Sequence, residues 1–169
     1  MVPWQGGGDM IESVSLEKGT TYAQLPLKYE AGTANYTGVA GLGAAVEFVR
    51  SLDNGTIEEY EKTITEKALE LFGEIDGCTL YGIPGTYYGQ VYEKIPVFSM
   101  SFEGAHPSDI AMMLDKMGIA ARSGMLCAEP LLSRLNLTSV LRASFALYNT
   151  VEELDFFVDS LKKVLKILR

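Results

Sequence analysis

The stretch Val97–Gly124, VFSMSFEGAHPSDIAMMLDKMGIAARSG, decides the fold class. Its first six residues alternate, with Phe98, Met100 and Phe102 on one side and Val97, Ser99 and Ser101 on the other, the period of a strand with one buried face. Pro107 suits the first position of a helix, with His106 at the N-cap. Ile110, Met113, Leu114 and Met117 then recur at helical spacing until Gly118 ends the run. Ile119–Arg122 reads as a return to strand. Strand, helix and strand in close succession point to helices packed on a small sheet.

The same reading extends both ways. Val39, Leu42, Ala45, Val46 and Val49 predict a helix from Tyr36, and its interleaved Gly38, Gly41 and Gly43 lead us to expect close packing by another backbone. Asp53-Asn54-Gly55 breaks it. Thr56 and Glu59 then form a capping-box pattern for a second helix that buries Ile57, Tyr60, Ile64 and Leu71 and stops at Gly73. Thr79–Tyr81 and Val140–Leu147 read as strands and Pro130–Leu135 as a short helix. Thr150 with Glu153 caps a last helix whose apolar stripe runs Leu154, Phe157, Val158, Leu161, Val164, Leu165 and Leu168. Residues 1–35 read differently, as a hairpin (Met10–Leu16, Thr20–Ala23) and a connecting loop with turns at Gly6-Gly7-Gly8 and Glu30–Asn35. They lack the apolar periodicity of a self-contained unit, so exposed apolar surface and self-association are expected. The expected organisation is 1–35 as hairpin and loop and 36–169 as a small domain, an α/β (α+β sandwich) class.

Composition narrows the function. The 169 residues are 47% hydrophobic and 21% charged, with a net charge of −8. That balance argues against nucleic acid or an anionic membrane as partner, since both demand a cationic face. No apolar run approaches the roughly 20 residues of a membrane helix, and Met1–Gly6 lacks the basic start of a signal peptide. With one histidine and two cysteines in no metal-ligand spacing, no metal site is expected. A reduced, cytoplasmic protein fits the cysteine usage.

Two residues stand out chemically. Cys127 follows Gly124 and precedes Pro130, on a loop between elements where a scaffold presents functional groups. Nearby Arg122 favours the thiolate, although free cysteine is also a common core residue. Arg142 sits among apolar neighbours in a central strand, where it needs a carboxylate or phosphate partner, from the protein or from a ligand. Cys78 has only a core reading. Gly6-Gly7-Gly8 lacks the lysine and hydroxyl residue of a phosphate loop and reads as a turn.

The segments KYEAGTAN, GLGAAVEFV, AHPSDIAMMLDKMGIAARSG, CAEPLL and LRASFALYNTVEELD, in this order, resemble the C-terminal part of class V aminotransferase-like enzymes. The resemblance is closest to the cysteine desulfurases and selenocysteine lyases that mobilise sulfur for iron–sulfur cluster assembly. It implies the small C-terminal domain of a fold-type I pyridoxal phosphate enzyme, preceded by the last pieces of the large domain. It makes Cys127 the persulfide-forming nucleophile and Arg142 the holder of the substrate α-carboxylate, with Arg122 supporting the cysteine loop. Thr33, after Gly32, would reach the cofactor phosphate of a neighbouring subunit, which implies a homodimer. Cysteine or selenocysteine is the implied substrate and a sulfur-acceptor protein the implied partner.

Two departures from that pattern carry expectations. Where the family usually has two histidines before the cysteine, this chain has Met125 and Leu126, which predicts a more apolar thiol. None of Lys18, Lys28, Lys62, Lys67, Lys94 or Lys116 stands in the context of the cofactor lysine. The chain by itself is therefore not expected to bind pyridoxal phosphate covalently or to turn over without an N-terminal half. A non-catalytic sulfur-relay or partner-binding module is the alternative.

Overall fold

The computed structural model describes residues 1–82, 84–87 and 90–169. It divides into two compact units, Met1–Leu52 and Asp53–Arg169. The division falls after the first helix, where the sequence suggested 35/36.

The first unit holds an antiparallel hairpin, β1 (Ile11–Ser15) and β2 (Gly19–Tyr22), a 3-10 turn at Leu27–Tyr29 and helix α1 (Tyr36–Ser51). The Asn35 side chain caps α1 by accepting the Gly38 N–H at 2.9 Å. The close packing expected of α1 is not found: the helix buries none of its residues, and Val39, Leu42 and Phe48 are each more than 60% exposed. A single hairpin and turn supply too little second layer to cover a helix with so few charges.

The second unit is built on a four-stranded antiparallel sheet in the order β3 (Cys78–Tyr81), β6 (Val97–Phe102), β8 (Val140–Ser144), β7 (Arg122–Gly124). Between β3 and β6 the chain makes a small hairpin, β4 (Gly85–Tyr87) and β5 (Gln90–Tyr92), which the alternation did not announce. Helices α2 (Asn54–Gly73), α3 (Pro107–Asp115) and α5 (Val151–Leu168) cover one face, and α4 (Glu129–Arg134) joins β7 to β8. The core lies between them: Phe98, Met100, Leu141 and Ala143 from the sheet meet Ala68 and Phe72 of α2, Ile110 and Leu114 of α3, and the expected stripe of α5. Phe72, Phe98, Phe145 and Phe157 form a closed ring of edge-to-face contacts with centroids 5.2–6.2 Å apart. The Thr150–Glu153 capping box is formed in both directions.

Several local expectations shift. Helix α2 is capped by Asp53, not Thr56: the Asp53 carboxylate accepts the Gly55 N–H at 3.2 Å and the Thr56 hydroxyl at 2.6 Å, which puts Thr56 inside the first turn. Its buried face is Ile64, Thr65, Ala68 and Phe72, while Ile57, Tyr60 and Leu71 are only half-buried. The strand expected at Ile119–Arg122 begins at Arg122. The preceding residues are spent ending α3, with Gly118 at φ +79° and the Ile119 N–H bonded back to the Leu114 carbonyl at 3.0 Å. Strand β8 stops at Ser144, short of Leu147, because Asn149 turns the chain by accepting the Ala146 N–H.

Candidate functional site

Period-two alternation separates the two faces of the second unit's sheet. The face away from the helices carries Thr79 and Tyr81 of β3, Val97, Ser99 and Ser101 of β6, Arg142 and Ser144 of β8, and Arg122 of β7. Apart from Val97 and Val140 it is polar, and among the described residues of these strands the charged side chains on it are the two arginines.

Arg142 occupies an interior strand, as the sequence indicated, and its Cα partner on β7 is Arg122. Like charges directly opposed in a sheet repel. Among the described residues no ion pair involves either guanidinium. The Arg142 Nε–H is buried and has no hydrogen-bond partner. Of the two partners open to a buried arginine, an internal carboxylate is therefore not seen, and the site has the chemistry of an anion acceptor.

Strand β7 feeds the cysteine loop. Gly124 belongs to the strand, at φ +122°, and the turn expected of it is made instead by Leu126 and Cys127, at φ +55° and +58°. Two consecutive left-handed residues other than glycine are an uncommon, strained arrangement. Their effect is to turn the loop outward, so that Cys127 is exposed. Met125 is exposed and Leu126 half-buried, and both flank an exposed thiol. Arg122, Met125, Cys127, Glu129 and Pro130 line a shallow depression around the thiol. A larger groove along α2, against Pro84, Lys94 and Ile95, contains neither cysteine nor either of these arginines.

Cys78 is the other kind of cysteine. It is half-buried against the core, and burial pushes its thiol up to about 11, with Arg169 acting weakly in the opposite direction. His106 caps α3, its Nδ1 accepting the Ser108 N–H at 3.3 Å. No group of three or more metal-ligating side chains occurs among the described residues.

In the first unit the glycine run and the Gly32–Thr33 turn come together, a pairing that sequence spacing did not reveal. Gly32 donates its N–H to the Gly8 carbonyl at 3.0 Å, and a side chain at Gly7 would lie 2.7 Å from the Gly32 nitrogen. Gly7 is thus required by close approach of backbone. Gly32 has φ +88°, and Thr33 is exposed.

A family model described as aminotransferase class-V matches residues 1–157. The chain belongs to that family. It is 40% identical over 168 residues to a cysteine desulfurase of Escherichia coli O127:H6 and 41% identical to one of Serratia proteamaculans. Each alignment covers 99% of this chain and 39% of the relative, so the chain spans about two fifths of the relatives' length. Among solved structures, cysteine desulfurase CsdA of E. coli in its S-sulfonic acid form superposes over the whole chain and 40% of its own, with TM-score 0.84 and 35% identity. The apo cysteine desulfurase of Thermococcus onnurineus NA1 covers 98% of this chain and 40% of its own, with TM-score 0.81 and 33% identity. A C-DES variant with glycine covalently linked to its pyridoxal phosphate cofactor shares the fold at 18% identity and TM-score 0.61. The family is pyridoxal phosphate-dependent, and this chain corresponds to the C-terminal part of its cysteine desulfurase members.

Proposed function

We propose that the chain is the C-terminal portion of a cysteine desulfurase or selenocysteine lyase, acting with a complementary portion that holds the cofactor lysine. The observation that carries this reading is the pairing of an exposed Cys127 with an uncompensated Arg142–Arg122 pair one strand away, in a chain 40% identical to cysteine desulfurases. Arg142 holds the substrate α-carboxylate, and Arg122 supports both the anion site and the base of the loop. The Cys127 thiolate attacks the substrate sulfur, forming a sulfur–sulfur bond while the carbon–sulfur bond breaks. The electron pair of the broken bond stays with carbon, which takes up a proton to give alanine, and Cys127 is left as a persulfide. A sulfur-acceptor protein then removes the outer sulfur. Pyridoxal phosphate, when bound, supplies the electron sink for this cleavage. Toward it the chain offers Thr33, whose exposed hydroxyl suits a phosphate oxygen of a neighbouring subunit, on the turn that Gly32 forms. A cytoplasmic homodimer is the assembly that the reading implies.

The test is reconstitution with the cofactor-binding portion of a relative, pyridoxal phosphate and L-cysteine. Alanine should be released together with a Cys127 adduct of about 32 Da, one sulfur atom, and Cys127→Ser should abolish both. Reconstituted dimer that releases no alanine refutes the enzymatic reading. The exposure of Cys127 favours one second reading, a sulfur relay. In that case the chain alone acquires the adduct from a persulfide donor, at Cys127 and not at Cys78, while alanine is never released.

A further inference from the structure

On the open face of the sheet, four side chains stand in one row across all four strands. Tyr81 is opposite Ser99, Ser99 opposite Arg142, and Arg142 opposite Arg122. Directly opposed residues bring their Cβ atoms to about 5 Å. Arg142 therefore has a like charge on its β7 side and a hydroxyl on its β6 side. Tyr81 is already committed, its hydroxyl hydrogen-bonded to Ser101 at 2.8 Å. That leaves Ser99, half-buried, as the uncharged acceptor directly beside Arg142. The group in need of an acceptor is the Arg142 Nε–H, buried and unpartnered. Because Nε is shielded, a carboxylate reaches the guanidinium through its outer nitrogens, and Nε must be satisfied from the sheet.

We propose that Ser99 is a positioning residue for the anion site. Its hydroxyl accepts the Arg142 Nε–H when a carboxylate occupies the outer nitrogens, holding the guanidinium plane toward β6 against repulsion by Arg122. The inference rests on the reading of Arg142 as carboxylate holder, and it adds a residue that this reading does not assign. A hydroxyl acceptor on one edge of the guanidinium also orients its two terminal nitrogens for bidentate pairing.

The full chain, with 15N-labelled arginine side chains, is titrated with L-alanine, a carboxylate ligand without a thiol. The Arg142 Nε–H resonance, identified by its absence in Arg142→Lys, should move downfield and exchange more slowly as L-alanine binds. Ser99→Ala should remove that shift and weaken binding by about five- to ten-fold, the net scale of one ordinary hydrogen bond, while Ser99→Thr restores both. Ser99→Ala binding within about two-fold of wild type while Arg142→Lys loses binding overturns the role of Ser99 alone. Arg142→Lys binding like wild type overturns the carboxylate reading itself. If Ser99→Ala does not fold, the wild-type spectrum decides, since an Nε–H signal unmoved by bound L-alanine overturns the proposal.

Discussion

The two cysteines should differ sharply in reactivity, and the difference can be worked out from their environments. In a Cys127→Ser variant, Cys78 is the sole thiol, half-buried against the core and raised by burial to about 11. At pH 8 its thiolate fraction is about one in a thousand, against roughly a quarter for an unperturbed cysteine with a pKa of about 8.5. Ionisation alone thus slows its reaction with Ellman's reagent about 200-fold relative to the unfolded chain. Restricted access slows it further. The release of thionitrobenzoate, followed by its absorbance, should be slow in native protein and fast in urea. In the reciprocal Cys78→Ser variant, the exposed Cys127 should react without unfolding. A native Cys78 rate within about ten-fold of the denatured one would refute the assignment of this thiol to the core. A Cys127 that reacts only in urea would refute the outward turn of its loop. The raised value also carries a sign: neutral Cys78 favours the folded state below about pH 8.5, and that contribution is lost as pH rises through about 11.

Other expectations follow from the packing. Phe72→Leu removes two edge-to-face contacts and should cost about 1–3 kcal/mol in urea unfolding, and Phe72→Ala about 3–5 kcal/mol. The exposed Phe156→Leu should stay within about 0.5 kcal/mol, and equal costs at both positions would show that the phenylalanine ring does not hold the unit. Gly7→Ala places a methyl group 2.7 Å from the Gly32 nitrogen and should abolish hydrogen-exchange protection of the Gly32 amide, while unchanged protection would count against the glycine contact. The Glu153 carboxyl is held below its usual range, first by the Asn149 side chain and then by the Thr150 N–H. Its stabilisation is therefore present above the unfolded carboxylate value of about 4.3 and is lost as pH falls through the lower folded value. Glu153→Gln should flatten the acid limb of stability against pH, and an unchanged limb would exclude the capping carboxylate as its source.

What could be read from sequence was what short-range chemistry controls. The alternation in Val97–Phe102, the stripe of α5, Pro107 after His106 and the Thr150–Glu153 box each act within a few residues, and each appears in the structure as expected. Local rules failed where two of them competed. Asp53, read as part of the break before α2, caps that helix by accepting the Gly55 N–H, and it holds the hydroxyl of Thr56, the residue expected to cap. The small residues of α1 permitted a close neighbour without supplying one. Cys127 and Arg142 were identifiable as unusual residues, a loop thiol and a cation among apolar neighbours. Their relation was not, because it depends on strand order: pairing of β7 with β8 sets Arg122 opposite Arg142, and pairing of β6 with β8 sets Ser99 on the other side. The approach of Gly7 to Gly32 and the left-handed backbone at Leu126 and Cys127, where the thiol is exposed, were likewise not legible. Sequence singled out Cys127, Arg122 and Arg142 as the candidates for chemistry. The register of the sheet, set by contacts between distant residues, and the left-handed turn at Leu126 and Cys127 decided what those residues face.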